Sequence, residues 1–444
     1  MNINAESHFA ELPSVGISRS KLDKSFRHLT SFNVGDVVPV FCEEVLPGDT
    51  WQVDTSKVVR LQTLLTPMMD NIYLDTYYFF VPNRLVWSHW KEFMGENTES
   101  AWIPTTEYSV PQLTTPLGGF DVGTIADHLG FPTGVANLSC SALPFRGYAL
   151  ICNEWFRDQN LTDPLVISNG DADVVGSNGS SYVTDVAKGG MPFKASKYHD
   201  YFTSALPAAQ KGPAVEIKAG FTDPWSVIPI KDKSNDSLLS MDDNPLKWNW
   251  WRYNQSSHGY DKVDVKFTST NADSSSVSIP LFGHTANPTT NSRMVPSNLF
   301  AIPPASFGVA SINELRLAFQ IQKLFEKDAR AGTRYTEVLA EHFGVRSPDS
   351  RLQRPEYLGG NRIPLTIAQV VQNSETSSTP QGNTTAYSLT TDNHSDFTYS
   401  ATEHGFIFGL VVARYDHTYQ QGIRRQFSRK TKNKAMLSRR VSKI

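Results

Sequence analysis

Hydrophobic and aromatic residues concentrate in one stretch of the chain, from Trp51 to Pro82, and their spacing predicts two long β-strands joined by a tight connection. In residues 51–65, apolar or β-branched residues alternate with polar ones, which is the period-two pattern of a strand. Residues 66–71 hold the Pro, Asp and Asn of a turn. Residues 72–81 leave almost no polar face, so we expect this strand to be covered on both sides and to end at Pro82, which has no N–H to donate.

Strand and helix patterns of apolar residues recur along the rest of the chain. Strand patterns cover 32–44, 363–371 and 397–415, and helical patterns cover 84–94, 145–157, 312–330 and 334–343. Pro39 indicates an edge strand or a bulge, and Gly405 and Gly409 indicate a bulge or a close backbone approach. Residues 346–364 and 372–396 are predicted to be irregular. Long strands that alternate with long, helix-bearing loops favour a mainly β fold, a single antiparallel β-sandwich elaborated at its ends.

Composition bears on disulfides, metal binding, secretion and membrane insertion. The 444 residues include three cysteines, Cys42, Cys140 and Cys152, which are too few and too widely spaced for a disulfide framework or a C-x-x-C metal clip. Cys152 lies on the apolar face of a predicted helix, so we expect a core residue rather than a nucleophile. The first thirty residues lack an apolar run, and no stretch of eighteen apolar residues occurs, so neither a secretory signal nor membrane insertion is expected.

Charge is distributed unevenly along the chain. The formal net charge is −3, but no acidic residue follows Asp416. Removing the nine basic residues beyond it from the 41 Lys and Arg leaves 32 against 44 acidic residues, or −12 for residues 1–416. Basic side chains neutralise phosphates, and the interspersed Phe427 can stack on an unpaired base. We therefore predict a nucleic-acid-binding segment carried by Arg424, Arg425, Arg429 and Lys430. The alternative is a solvated tail that binds nothing. Arg19, Lys21, Lys24 and Arg27 are candidates for the same surface.

The sequence contains no specific catalytic signature. The sequence has no G-x-x-x-x-G-K-[ST], G-x-G-x-x-G, H-E-x-x-H or G-x-S-x-G motif. Glu403 and His404 are interpreted as a corner between strands, and Asp171 and Asp173 as a turn rather than a calcium loop. His89 is interpreted as a packing residue. No enzyme activity, catalytic residue, metal or cofactor is expected.

Residues 218–297 differ in character from their surroundings, because they are rich in Asp, Asn, Ser, Thr and Pro. They contain an isolated aromatic patch, Trp248, Trp250, Trp251 and Tyr253. The patch is either a surface stacking platform for a sugar or a base, or the small core of an inserted lobe.

Several long stretches together resemble one family, the major capsid protein of small icosahedral single-stranded DNA phages in the gokushovirus branch of the Microviridae. The stretches are SFNVGDVVPVFCEEVLPGDTW (31–51), LDTYYFFVPNRLVWSHWKEFMGE (74–96), FRGYALICNEWFRDQN (145–160), HDYFTSALPAAQKGPAV (199–215), INELRLAFQIQKLFEKDARAGTRYTEVLAEHFGV (312–345) and EHGFIFGLVVARYDHTYQQGIRRQFSRKT (403–431). They follow the family's order over nearly the whole chain.

The resemblance implies a single jelly roll, an eight-stranded antiparallel β-sandwich with long helix-containing loop insertions. It implies a homo-oligomer that assembles through pentamers into a T=1 icosahedral shell in the host bacterial cytoplasm. Its partners would be a single-stranded DNA genome, a small basic DNA-packaging protein and a host-cell surface receptor. Residues 1–217 and 298–416 would form the core, 218–297 a surface lobe at the threefold axes, and 417–444 a basic C-terminal segment.

Residues 432–444 depart from the family, whose members continue with an aromatic-rich segment; here we expect a truncation or a shift of frame. The runner-up function is a jelly-roll carbohydrate-binding module with the aromatic patch as its platform. A hydrolase is the third class considered, and it would need carboxylates or a metal site that the sequence does not reveal.

Overall fold

A computed structural model describes residues 16, 18–62, 68–98, 106–200, 202–215, 248–254, 259–265, 294–296, 312–371, 384–419, 427 and 430. Of these, only the backbone is described at 248–254, 259–265, 294–296, 369, 371 and 384–387. The chain divides into two compact units, one made of Met1–Lys211 with Lys327–Ile444 and one made of Gly212–Glu326.

Strands dominate the described residues. The strands are β1 Val38–Val45, β2 Thr50–Val59, β3 Ile72–Pro82, β4 Gln112–Thr114, β5 Ser139–Ser141, β6 Val174–Val175, β7 Trp248–Asn254, β8 Gly259–Val265, β9 Met294–Pro296, β10 Glu356–Pro364, β11 Ile367–Val371, β12 Thr384–Ser388, β13 Thr390–Ser400 and β14 Gly405–Tyr415. The helices are α1 Asn83–Val86, α2 Trp90–Phe93, α3 Ile125–His128, α4 Leu143–Ile151, α5 Ile312–Ala331 and α6 Tyr335–Phe343. A π-helical turn, Cys152–Phe156, continues α4, and a 3₁₀ turn covers Val186–Lys188.

The larger unit is built on a four-stranded antiparallel sheet in the order β1-β14-β3-β10, faced by the antiparallel pair β13-β2. The pairing is nested along the chain, because β1 pairs with β14, β2 with β13 and β3 with β10. That nesting is the connectivity of a jelly roll. The innermost pair, β4 with β5, lies in a separate small sheet with β6. The expected mainly β, antiparallel class is therefore confirmed.

Both faces of β3 are covered, as its pattern predicted. On one face, Phe79 and Val81 pack in a core with Phe145 and Tyr148 of α4. On the other face, Tyr78 and Phe80 pack in a second core towards β2 and β13, whose members include Trp51, Val53, Phe397 and Tyr399. A third core joins the opposite end of β3 to β10 and β14. Pro82 is the last residue of β3, in agreement with the prediction.

The stretch from 51 to 82 is not a two-stranded hairpin. β2 ends at Val59 and pairs with β13, whereas β3 pairs with β10 and β14 in the other sheet. The difference follows from burial: β2 alternates between half-buried and exposed residues, and β3 is covered throughout. The two strands therefore lie on opposite sides of the second core.

The helix predicted over 84–94 is two short helices, α1 and α2. Trp87 interrupts it with an extended backbone, because its side chain is fully buried and its indole N–H donates to Asp171 at 2.6 Å. The later helices were predicted within a few residues, and Pro144 lies in the first turn of α4. The N-cap of α6 is Arg334, and Gly344 ends that helix.

Two predicted loops contain strands. β10 falls within 346–364, and β12 together with most of β13 falls within 372–396. The two glycines and the terminal proline of β10 hid its pattern, and Gly359 follows a register shift in its pairing with β3. The predicted irregularity at Pro39 is confirmed, because β1 is an edge strand with a register shift after Pro39.

The smaller unit contains the antiparallel sheet β8-β7-β9 and the first fifteen residues of α5. Strands in this region were not predicted from the sequence. The domain boundaries at 218 and 297 remain predictions. Among the residues that the structure describes, no helix combines the length and the apolar character that crossing a membrane requires.

Candidate nucleic-acid interface

The basic segment predicted to bind nucleic acid follows directly after β14. Lys430 is described and exposed, and Phe427 is 70% exposed. Arg424, Arg425 and Arg429 lie outside the described residues. The described residues that adjoin this segment are those at the C-terminal end of β14 and directly after it.

Arg414, near the end of β14, is held by a buried carboxylate. Its Nη2 and Nε donate to Oδ2 of Asp75 at 2.8 and 3.1 Å, and Asp75 is 2% exposed. The hydroxyls of Tyr77 and Tyr198 donate to the same oxygen. Burial raises the pKa of Tyr77 to about 12, so this phenol stays a donor at neutral pH. The charge of Arg414 is therefore balanced inside the protein.

Arg362, on β10, presents a more accessible guanidinium at the same place. Its carbon Cζ lies 4.0 Å from the ring centroid of Tyr73 and 4.5 Å from that of Tyr198. Its nitrogens lie 3.6 Å from carboxylate oxygens of Asp75 and of Asp416, yet its side chain stays 44% exposed. Two aromatic faces fix the guanidinium plane, and its remaining N–H groups are available to a phosphate oxygen.

An aromatic row continues from the end of β14. The ring of His417 lies 4.3 Å from Tyr415 and 5.8 Å from Tyr419, and Tyr419 lies 4.5 Å from Phe202, measured between centroids. Tyr419 donates to Asp200 at 2.8 Å. The backbone N–H of Thr203, with help from this hydroxyl, lowers the pKa of Asp200 to about 2. The surface thus offers rings for stacking, whereas its ionised carboxylate repels phosphates.

The sequence did not predict that Asp75, Arg362, Arg414 and Tyr198 cluster near the end of β14. A signal was present, because Asp75 is a charged residue within an otherwise apolar strand, and a buried charge requires a partner. The identity of that partner depends on pairing between distant strands, which the sequence pattern does not contain.

The basic residues of the N-terminal arm lie elsewhere. Lys24 forms an ion pair with Glu43 at 3.0 Å and lies over the ring of Trp51. Glu43 pairs with Ile407, near the start of β14. At about 3.3 Å per residue, that point is roughly 26 Å from Tyr415. A surface shared between the arm and the C-terminal segment remains a prediction.

The aromatic patch lies on β7, which pairs with β8 and β9. Successive strand positions alternate between faces, so positions 248 and 250 belong to one face of this sheet and positions 251 and 253 to the other. A single platform of Trp248, Trp250, Trp251 and Tyr253 does not follow from this backbone. Their stacking role remains a prediction.

Glu403, His404, Asp171 and His89 have structural partners within the chain. Arg84 donates to Glu403 at 2.6 Å, and His404 packs against Trp90, as expected of a corner between strands. Asp171 accepts hydrogen bonds from the indole N–H of Trp87 at 2.6 Å and from the His89 ring at 2.8 Å. Within the described residues, no group of three or more His, Cys, Asp or Glu is arranged to hold a metal ion.

Comparison with known proteins gives one consistent result. Residues 10–436 match a family model described as "Capsid protein (F protein)". The chain is 40% identical over 429 residues to "Capsid protein VP1" of Bdellovibrio phage phiMH2K, an alignment that covers 96% of this chain and 74% of that protein. It is also 40% identical to "Capsid protein VP1" of Chlamydia phage 1 (96% and 76% covered) and of Spiroplasma virus 4 (95% and 74% covered).

Proposed function

Because the chain belongs to the F-protein family of phage capsid proteins, it is a structural protein of a virion and not an enzyme, and we propose that it forms a T=1 icosahedral shell through pentamers. The proposal extends to what the shell holds and contacts. Those partners are a single-stranded DNA genome, a small basic DNA-packaging protein and a receptor on the host cell. Assembly would take place in the host bacterial cytoplasm.

Exposed apolar side chains support assembly from many copies. In α5, the side chains of Ile312, Leu317 and Phe319 are 69%, 60% and 59% exposed. In α6, Tyr335 and Phe343 are 67% and 71% exposed. Large apolar patches on an isolated chain indicate protein–protein contacts, since burial of apolar surface contributes about 25 cal/mol per Å². This observation carries the proposal that α5 and α6 are covered by neighbouring subunits.

Sedimentation of the purified chain tests assembly. We expect pentamers or shells for the wild type, dissociated subunits for Phe319→Ser, and wild-type behaviour for the matched control Gln320→Ser on the same helix. Because Phe319 is largely exposed, its replacement leaves the subunit core intact, and circular dichroism should be unchanged. Assembly of Phe319→Ser at wild-type concentrations would remove α5 from the subunit contacts.

The C-terminal charge supports DNA contact. Residues 417–444 carry nine basic residues and no acidic ones, whereas residues 1–416 carry −12. An acidic shell needs a local cationic surface to hold DNA, and Arg424, Arg425, Arg429 and Lys430 lie within a family-matching stretch. We propose that these four residues contact phosphates at the inner surface, independently of base sequence, and that Phe427 stacks on a base or packs inward.

A salt series of single-stranded DNA affinities tests that contact. Each neutralised phosphate contributes about 0.7 to the slope of log affinity against log salt, so replacing all four residues with Gln should reduce the slope by roughly 3. The matched control replaces Lys432, Lys434, Arg439 and Arg440 with Gln. An equal reduction in both variants would indicate a diffuse polycation. An unchanged slope in the first variant would assign its four residues to subunit contacts.

For residues 218–297 we propose a surface lobe that attaches to the host. The polar composition of this stretch and its place between two family-matching stretches support the proposal, as does the compactness of the unit Gly212–Glu326. Replacing 218–297 with a short Gly/Ser linker should preserve pentamers and abolish binding to host cells. Loss of pentamers in the linker variant would make the lobe part of the shell itself.

A further inference from the structure

A small pocket with mainly aliphatic walls lies beside α4 and opens to solvent. Its volume is about 110 Å³, and its walls include Leu113, Ala142, Val166, Val174 and Ala187. Leu113 and Ala142 are almost fully buried, whereas Val166 is 60% exposed, so the apolar surface continues from the floor to the rim. A cavity of roughly 150 Å³ holds the six carbons of benzene, so a pocket of about 110 Å³ suits the four carbons of one leucine side chain.

The chain around this pocket is acidic. Residues 158–187 contain five Asp and no Lys, Arg, His or Glu. Asp173 is the neighbour of Val174 in the wall, is exposed, and accepts the backbone N–H of Gln112 at 2.8 Å. Lys188 also belongs to the wall, and its one positive charge leaves residues 158–188 with a formal charge of −4. The pocket therefore suits an aliphatic side chain that is carried on a basic segment.

The N-terminal arm, residues 18–32, is such a segment. Five charged residues give residues 18–30 a formal charge of +3 with histidine neutral: Arg19, Lys21, Lys24 and Arg27 against Asp23. Alternate residues of the arm contact their own subunit. These contacts are the ion pair of Lys24 with Glu43 at 3.0 Å, the stacked rings of Phe26 and Phe41 with centroids 5.7 Å apart, and Thr30 Oγ1 at 3.0 Å from Nδ1 of His128. The residues that the arm contacts there are not those that line the pocket, so the arm and the pocket are separate surfaces of one subunit.

The positions between these contacts face solvent. Leu29 is 99% exposed, and Arg27 is exposed as well. The alternation is that of an extended segment, in which successive side chains point to opposite sides. The contacts of Phe26 and Thr30 hold the backbone on either side of Arg27 and Leu29, so less conformational freedom is lost when these two side chains bind. The arm therefore presents an apolar side chain beside a cation, which complements the acidic surroundings of the pocket.

We propose that the arm of one subunit docks on the pocket of a second copy of the chain, with Leu29 in the pocket and Arg27 paired with Asp173. Two different surfaces meet in this contact, so it is heterologous, and heterologous contacts generate rings when the rotation between copies closes. The inference rests on the proposed function and deepens it, because it assigns one of the contacts within the proposed pentamer.

Sedimentation velocity of the purified full-length chain over a concentration series tests this contact. Leu29→Ser should raise the subunit concentration required for half-assembly about tenfold or more, since that is the factor expected for one buried leucine. Leu22→Ser is the matched control, because Leu22 is 76% exposed on the same arm but lies outside the stretch held between Phe26 and Thr30, and it should assemble as the wild type does. Assembly of Leu29→Ser at wild-type concentrations would overturn the inference.

Charge reversal tests the ion pair. Arg27→Asp and Asp173→Arg should each weaken assembly, because each brings two like charges together, and the chain that carries both changes should assemble again. Both residues are exposed, so circular dichroism of the dissociated subunits should be unchanged. A double variant that assembles no better than the weaker single variant would refute the pairing.

Disulfide cross-linking between copies shows which surfaces meet. Chains carrying Leu29→Cys and differently tagged chains carrying Val166→Cys, mixed before assembly and treated with oxidised glutathione, should form a covalent pair. Val175→Cys is the matched control, because Val175 is 64% exposed but lies outside the pocket wall, and it should not cross-link to Leu29→Cys. Assembly without a cross-link between the first two variants would overturn the inference and leave the proposed shell intact. A wild-type chain that sediments as a monomer at every concentration would overturn both.

Discussion

Replacing Asp75 with Asn removes the negative charge that holds Arg414 while keeping the shape of the side chain. Asp75 is 2% exposed and accepts two hydrogen bonds from Arg414, at 2.8 and 3.1 Å, as well as those from the two tyrosines. Breaking a buried ion pair by removing one partner costs about 3–5 kcal/mol, because the remaining charge is left uncompensated. The side chain of Arg414 is 14% exposed and retains some hydration, so we expect about 3 kcal/mol.

Urea unfolding of the dissociated subunit, followed by tryptophan fluorescence, measures this change. The midpoint should fall while the m-value stays constant, since the surface exposed on unfolding is the same. Adding Arg414→Gln to Asp75→Asn should recover part of the loss, and the double-mutant cycle isolates the coupling energy. Lys24→Gln is the matched control, because its ion pair with Glu43 is half exposed and contributes about 1 kcal/mol or less. A cost for Asp75→Asn no larger than that of Lys24→Gln would refute the reasoning.

Two further predictions concern packing and pH. Gly409→Ala should destabilise the subunit by about 1–3 kcal/mol, since a Cβ there would lie 2.7 Å from the ring of Tyr78, whereas Gly170→Ala, with its nearest neighbour at 3.9 Å, should be close to neutral in the same urea assay. His128 is buried and accepts or donates at Thr30, and burial lowers its pKa below 6.5. The unfolded chain therefore binds more protons, so stability is lost as the pH falls below 6.5; His128→Gln should reduce that loss, and equal pH dependence of the two unfolding midpoints would contradict it.

The sequence predicted those elements whose signal is local. The two covered faces of β3 and the buried position of Cys152 both follow from the spacing of apolar residues within one segment. β10 was not predicted because its glycines are required by close contact with β13. A Cβ at Gly359 would lie 2.6 Å from the backbone oxygen of Asp396. Close approach between distant strands depends on how they pair. The spacing of apolar residues within one segment does not reveal that pairing.

The candidate interface divides in the same way. The charge count identified the basic segment after β14, and the family resemblance implied single-stranded DNA as its partner. Both signals can be read from the order of residues alone. The arrangement of Arg362 between Tyr73 and Tyr198 joins residues from three separate segments. The alternation in β7 likewise divides a patch that is continuous in the sequence. Predicting either would require the sheet register.

The nested pairing of the strands also governs when the chain can fold during its synthesis. β14 lies inside the four-stranded sheet, yet among the described residues it is the last strand along the chain, and it is the strand with which β1 pairs. At about 5–20 residues per second, the ribosome takes roughly 20–75 s to travel from Val38 to Tyr415. During that interval the edges of β1 and β3 that pair with β14 are exposed, and such edges invite pairing with other chains. Nascent copies made close together can therefore aggregate before β14 is complete, and slowing translation within residues 356–415 should lengthen the interval in which they do so.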